Sequence, residues 1–578
     1  MNMQRTLLAS CVFSSLCALT ACGGGGGGND TPTPDPDPIS VQIDNAVEDS
    51  KQPTNKLVCN DLSKSDLDKR FCDLTIYQVM VEAFQNDDDT LPHYNVGYGT
   101  SDHKGNIKGV TNALDYIKEL NANAVWLTPI FTSCNASDHC TQLDATGYFN
   151  LNYLDIDPHF GDYAALTDLV TQAHAKDMSI YLDGVYGHFK KDVIPYASEF
   201  NGYITVSKTC TKMGVPDKET LKDNDSKRCA DWTQDGTKTF YKNLTNYYID
   251  HYNIDGWRMD QAYQVPLDQW KAIRESVESK ESNQTGHKGY IVGEIWGSNN
   301  DHNTYAFGTS NDNMGLRSAF FFNLRYGLVK ALAVEESTDK DHTGQRILTE
   351  FTDGEKTFPS NAIPNAFLTN HDLVRFGDLL QRGRITDTDK EAYWNAHKNA
   401  LAFLASFSGP ITIYYGDEIG QEVPNYADKI ENNCTDSGLC DDHVSRTQGR
   451  ISGFDTKEQD LHDFTAKALK MRQDYPVMTK GAVHAIEAST NSFAIQKYDN
   501  DRTHKPVILY MNINNREQNV TLSQTALKEI KDTNAPYLMD PIRCKFYASE
   551  SGSYTFTVAP LAPVLLTPVE TQDDTLCL

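Results

Sequence analysis

The amino-acid sequence predicts an α/β fold: a (β/α)8 TIM barrel with a small subdomain inserted after the third strand and a C-terminal antiparallel β-sandwich. Three observations predict it. Between residues 73 and 480, short apolar runs of strand type alternate with segments of helical apolar spacing, the signature of parallel β/α units. One polar stretch, 189–235, separates a strand from its helix. Past about Lys480 the helical spacing stops and short alternating strands take over.

The chain opens on a basic Arg5 and a mostly apolar or small run from Leu7 to Ala21, too short to span a bilayer. That run closes on Leu19-Thr20-Ala21-Cys22, which resembles a bacterial lipobox, where the cysteine is acylated and becomes the new N-terminus. An ordinary signal peptide with a chance cysteine is the alternative. Residues 1–21 are therefore read as a lipoprotein signal peptide. Gly23 after Cys22 favours the outer membrane, at its periplasmic face or the cell surface. Six glycines and the run TPTPDPDP follow, so 22–55 reads as a flexible, then stiff, tether. No later stretch is long and apolar enough for a transmembrane helix, leaving the lipid as the expected membrane contact.

The body starts near residue 56. DLTIYQVMVEAF (Asp73–Phe84) is β-branched and aromatic, a strand. Val110–Leu120 has helical spacing, and AVWLTPIF (Ala124–Phe131) is a continuous apolar strand. The alternation continues: helix Tyr163–Ala175, strand Ser179–Val185, helix Thr239–Tyr252, strand Ile254–Asp260, helix Trp270–Lys280, strand Tyr290–Trp296. Strand Ala366–Asp372, helix Lys390–Phe407 and strand Pro410–Glu418 complete it. Seven strands with room near Phe320 for an eighth predict barrel closure. The expected divisions are barrel 56–188, inserted subdomain 189–235, barrel 236–479 and sandwich 480–578. The sandwich strands are SFAIQKY, VILYMNI, NVTLS and YTFTV.

Composition excludes some functions. The 578 residues carry 52 Lys and Arg against 79 Asp and Glu, a net charge of −27. Phosphates would be repelled, which argues against nucleic acid or anionic lipid and for a neutral substrate or a cation; solubility is the alternative meaning of the charge. Apart from Cys11, Cys17 and Cys22, ten cysteines remain, in local pairs Cys59/Cys72, Cys134/Cys140, Cys210/Cys229, Cys434/Cys440 and Cys544/Cys577. An even number in an exported chain reads as disulfides, with nearest-neighbour pairing the simplest of the possible connectivities. Zinc is the rival, but no CxxC or clustered Cys/His spacing supports it.

The chemistry lies at strand ends. Asp183 and His188 follow the third placed strand in DGVYGH, Arg258 and Asp260 close IDGWRMD, Glu294 sits in GEIW, and His371 and Asp372 end FLTNHD. Loops at the C-terminal ends of barrel strands converge, and a carboxylate ending a buried apolar strand is costly unless paired or useful. Arg258 lies two residues before Asp260, on the same strand face, where a guanidinium holds a carboxylate ionised.

These four segments, in order and spacing, resemble the four signature regions of the α-amylase family of glycoside hydrolases, over about Asp73 to the end of the chain. The resemblance implies Asp260 as nucleophile, Glu294 as acid/base and Asp372 as transition-state stabiliser, with Tyr148 (in DATGYFN), Asp183, His188, Arg258 and His371 as substrate-site residues. It implies cleavage of α-glucosidic bonds with retention, by a monomer acting on an α-glucan without an organic cofactor. The expected activity is endo-hydrolysis of α-1,4-glucan. The alternatives are a maltodextrin glucosidase or α-glucanotransferase and, in another class, a glucan-binding lipoprotein that has lost catalysis.

Three positions depart from the family pattern. Gly187 stands where the family has an Asn that ligates calcium, Gln261–Gln264 replaces Lys-His, and Thr146 stands where His is common. Asn86, Asp88 and Asn106 resemble a second calcium loop of some members, with hard oxygen ligands suited to structural calcium. The alternative there is a solvated acidic turn at Asp87–Asp89.

Overall fold

The computed structural model describes residues 37–578, apart from 65–68, 135–138, 191–195, 198–201, 205, 208–226, 281–284, 336–340, 425, 427–440, 442 and 529–534. Eight parallel strands form the barrel: β1 (Thr75–Val79), β2 (Ala124–Leu127), β3 (Ser179–Gly184), β4 (Gly256–Met259), β5 (Tyr290–Gly293), β6 (Ser318–Ala319), β7 (Ala366–Phe367) and β8 (Ile411–Tyr414). The hydrogen-bonded order runs from β6 through β5, β4, β3, β2, β1 and β8 to β7. A parallel bridge between Phe320 and Asn365 closes the ring between β6 and β7. Every residue of these strands is buried, because helices cover the outside and side chains fill the inside.

The strands are shorter than the apolar runs. AVWLTPIF breaks at Pro129, which has no N–H for the ladder; Phe131–Thr132 instead pairs antiparallel with Asn152–Ile156. The expected helix at Val110–Leu120 is two helices, Ile107–Asn112 and Leu114–Glu119, the first capped by the Asn106 side chain on Gly109 N–H. The helix Tyr163–His174 is capped by Asp162, which accepts from Ala165 N–H. The helix Asp235–Tyr252 ends on Asn253 in the left-handed conformation, a stop that asparagine tolerates.

Between β3 and that helix, strands His188–Lys190, Val206–Ser207 and Lys227–Ala230 form a three-stranded sheet, and Tyr196–Ala197 pairs with Gly202–Tyr203. The C-terminal part is a nine-stranded sheet. Its two ends face each other: Ile486 and Ala494 from one end share a buried core with Val520, Leu522 and Phe556 from the other, the packing of a sandwich.

One boundary is corrected. Ile39–Ile43, inside the expected tether, is a strand parallel to Gln518–Ser523, with Ile39 opposite Gln518. Gln52 then donates to Val47 O and Ala485 O, and Asn55 exchanges hydrogen bonds with Val483. The alternating ISVQI thus completes the C-terminal sheet. Cys22 and the Gly/Pro-rich run to Pro36 lie outside the described residues.

Disulfides join Cys59–Cys72, Cys134–Cys140 and Cys544–Cys577. Cys229 is also disulfide-bonded, while Cys210, Cys434 and Cys440 lie outside the described residues. Among the described residues, no helix is long and apolar enough to cross a membrane.

Candidate active site

Ladder register sets the centre of the site. Arg258 on β4 lies directly opposite Asp183 on β3 and Val292 on β5. Its Nη1 donates to both Asp183 oxygens at 2.9 Å and to Asp260 Oδ1 at 3.0 Å, while Nη2 is 2.9 Å from Glu294 Oε2. Asp260 and Glu294 each lie one residue past the end of their strand, so they rise above the buried guanidinium into a cleft of about 320 Å³.

That cleft is lined by Tyr148, His188, Asp260, Glu294, His371 and Asp372, six of the eight residues the sequence singles out for the glucan site. The other two are placed differently from a substrate contact. Arg258 is 1% exposed and Asp183 is fully buried, below the cleft floor. Asp183 accepts from Tyr148 OH at 2.8 Å and Trp126 Nε1 at 3.2 Å besides Arg258. Its oxygens are taken by protein donors, so it anchors Arg258 and Tyr148.

Tyr148 stacks on His371, with ring centroids 5.2 Å apart and planes at 7°. Gln78 Nε2 donates to His371 Nδ1 at 2.7 Å, which leaves Nε2–H to face Asp372 Oδ2 at 3.3 Å. Asp372 also accepts from Arg446 Nη2 at 2.7 Å and lies 3.4 Å from His443 Nε2. Arg446 further fixes the backbone by donating from Nε to His371 O at 3.0 Å.

The carboxyl groups divide into two electrostatic classes. Burial pushes Asp260 and Glu294 up to about 7 and Asp183 up to about 6, with Arg258 opposing in each case. Three carboxyls share one guanidinium, so this cluster holds a proton near neutral pH. Asp372 goes the other way: burial opposes, but His371, Arg446 and His443 hold it well below the usual carboxylate range. Burial pushes His371 itself down to about 3, leaving it uncharged at neutral pH, while the Arg446 guanidinium stands 2.7 Å from Asp372. Such an arrangement can hold one proton between neighbouring carboxyls and keep a further carboxylate of the same cleft ionised.

Gln261 and Tyr263, in the stretch that departs from the family pattern, line the cleft as well, together with Tyr98, Trp296, His443 and Arg446, which the sequence reading missed. Of those four, Trp296 carries a signal, two residues past Glu294. It is 39% exposed, stacked on Phe322 at 5.1 Å and tied through Nε1 to Tyr326 OH at 2.7 Å.

The structure brings Asn86 and Asn106 together but uses their oxygens. Asn86 Oδ1 accepts from Asn106 Nδ2 at 2.6 Å and Asp88 N at 3.1 Å, and Asn106 Oδ1 accepts from Gly109 N at 2.9 Å. Asp88 Oδ1 is turned to Thr90, accepting from its N–H at 3.0 Å and from its hydroxyl. So arranged, one oxygen of each of the three accepts hydrogen bonds from within the chain. At Gly187 the space is taken by the Gln264 side chain.

A family model of the alpha-amylase catalytic domain matches residues 78–210 and 221–504. The chain is 24% identical over 503 residues to the intracellular maltogenic amylase of Bacillus subtilis (strain 168), covering 81% of this chain and 73% of that one. It is 26% identical over 529 residues to neopullulanase 2 of Thermoactinomyces vulgaris, covering 85% and 77%. Among solved structures, AmyP in complex with maltose superposes with a TM-score of 0.76 at 36% identity, covering 88% of this chain and 100% of that one.

Proposed function

The chain belongs to the alpha-amylase family of glycoside hydrolases and is an enzyme acting on glucans, and from that premise we propose that it cleaves internal α-1,4-glucosidic bonds of starch, glycogen or maltodextrins with retention of configuration. The observation that carries this reading is the single guanidinium of Arg258 gripping both Asp260 and Glu294. Two carboxyls held by the two ends of one fork are near neighbours. Retaining glycosidases need about 5–5.5 Å between theirs, whereas inverting ones need about 6.5–9.5 Å for a water.

The steps follow. The Glu294 proton passes to the glycosidic oxygen as its bond to the anomeric carbon breaks. Asp260 Oδ2, the oxygen not held by Arg258, bonds to that carbon. Glu294, now ionised, takes a proton from water, whose oxygen displaces Asp260 and restores both groups. Asp372 lines the same cleft, where its charge stabilises the positive sugar ring of each transition state. Tyr148, stacked on His371, offers a flat apolar face to the sugar bound before the scissile bond.

A second reading is a maltodextrin glucosidase or glucanotransferase. The names of the curated relatives, maltogenic amylase and neopullulanase, favour it, as does Trp296 beside Glu294 at the rim, an aromatic platform suited to an acceptor sugar. Loss of catalysis is disfavoured because all three carboxyls line the cleft. Incubation with starch, maltotriose and pullulan separates the readings. Early oligosaccharides from starch support endo-cleavage, whereas slow starch cleavage with fast maltotriose turnover or longer products supports the second.

Lipid anchoring of an exported protein through Cys22, at the outer membrane, is part of the proposal. The three joined cysteine pairs support export, since such bonds persist in oxidising compartments. Cys22→Ser should release the protein from membrane fractions; unchanged retention would end the idea. We also propose that the Asn86–Asn106 turn is held by its own hydrogen bonds rather than by calcium.

A further inference from the structure

Resting on that reading of the site, we propose that Gln264 is a positioning residue: its buried amide ties His188, at one wall of the cleft, to the Gln261 turn that touches the acid/base Glu294. Gln264 ends the short turn Ala262–Gln264 after β4 and is 4% exposed. Its Oε1 accepts from His188 Nδ1 at 3.2 Å, and its Nε2 donates to Gln261 Oε1 at 2.6 Å. Tyr263 OH donates to the same Gln261 oxygen at 3.0 Å.

Gln261 needs that hold. It sits in the left-handed region, at φ 39° and ψ 53°, a conformation that a residue with a Cβ adopts reluctantly and that persists where surroundings over-determine it. The same conformation aims the Gln261 N–H at Glu294 Oε2, 3.1 Å away. The Gln264 amide thus bonds at one end to an imidazole of the cleft and at the other to the strained residue that contacts the acid/base.

Gly187 provides the room. A Cβ there would lie 1.8 Å from Gln264 Oε1 and 2.4 Å from Gln264 Cβ. Its backbone is outside the left-handed region, so glycine is needed for space and not for conformation. The two residues form a matched pair: an absent side chain before His188 and an amide that fills the space and bonds the ring. The bond also orients the ring. With Nδ1–H given to Gln264, His188 Nε2 turns toward the cleft and the Asp260 side, where Oδ2 is 4.0 Å away.

The test uses the full-length protein and a maltooligosaccharide substrate, with Gln264→Ala removing the amide and Gly187→Ala displacing it. For Gln264→Ala, KM should rise roughly tenfold and kcat fall roughly ten- to a hundredfold, the scale of small misplacements of catalytic groups. The basic limb of the kcat profile should move to higher pH, because loosening the Gln261 N–H removes a bond to ionised Glu294. Gly187→Ala should move KM and the basic limb the same way. A folded Gln264→Ala protein whose KM and pH limbs match the wild type would overturn the proposal, as would a drop in kcat alone with both limbs fixed. A substrate-free measurement keeps the proposal separate from the proposed function. The imidazole nitrogen NMR signals of His188 should report a proton on Nδ1 in the wild type and a changed tautomer balance in Gln264→Ala. If the wild type cleaves no α-glucan, the functional reading fails, and these signals still decide the role of Gln264: an identical His188 spectrum in both proteins rejects it.

Discussion

Arg258 joins Asp260 and Glu294 through the two arms of one guanidinium, at 3.0 Å and 2.9 Å. Its Nη1 also meets both oxygens of Asp183. One cation therefore sets the spacing of the two reacting groups and their shared proton.

Arg258→Lys should lower kcat by about 10²–10⁴-fold with a smaller change in KM. A lysine keeps the charge but cannot grip three carboxyls from a planar fork, so spacing and charge balance fail together, and orientation is worth that scale. Steady-state kinetics on a soluble maltooligosaccharide check this. Activity within tenfold of the wild type would show that the bridge is dispensable.

Glu294→Gln should lose activity on starch yet melt higher than the wild type, more so at pH 8 than at pH 5. Burial, opposed by Arg258, raises Glu294 from 4.5 to about 7 in the fold. A group with a raised folded pKa contributes stability that is present below its unfolded value and lost as pH rises through the folded one. Glutamine has no proton to lose, so its advantage grows between pH 5 and 8, on the order of 1–3 kcal/mol. Thermal melts at the two pH values test it. A variant less stable than the wild type at pH 8 would contradict the argument.

Arg446→Met should lower kcat by roughly 10–100-fold and destabilise the fold at neutral pH. Arg446 is the cation 2.7 Å from Asp372, and without it burial pushes that carboxyl back up. Asp372 has a depressed pKa in the fold, so its contribution is present above the unfolded value and lost as pH falls through the folded one. The variant should therefore lose stability at neutral pH, while the difference narrows in acid. Thermal melts at neutral and acid pH check this; a variant as stable as the wild type at neutral pH would refute this role.

Chelator should leave the melting curve unmoved, and added calcium should not raise it. The Asn86, Asp88 and Asn106 oxygens already accept hydrogen bonds within the chain. A native-state site at 100-fold excess of ligand over Kd would add about 2.7 kcal/mol. A chelator-sensitive melting temperature restored by calcium would show that the turn rearranges to bind the ion.

Much of the site is legible in the sequence because barrel strands announce their ends. Asp260, Glu294 and Asp372 each follow an apolar run, and such runs deliver their last polar residues to one rim. Arg446 and His443 carry no such mark. They come from the irregular segment after β8, and only the closed barrel brings them to Asp372. Gln264 reads as a departure from a pattern; its meaning depends on the space above Gly187, which no spacing rule reveals. In the fold, ISVQI merges with the tether because Pro and Gly crowd its approach. Its partner strand begins at Gln518, and a pairing so distant leaves no local trace. Strand lengths come out too long from sequence because apolar runs continue past the last ladder hydrogen bond.

The most direct test of the central claim, a covalent step at Asp260 with Glu294 as acid then base, is the configuration of the first product. Proton NMR of the anomeric signals, recorded in the first moments of maltooligosaccharide cleavage, should show the α-anomer appearing before mutarotation brings in the β-anomer. A β-anomer formed first would mean inversion by a single water attack, and Asp260 could not be the nucleophile.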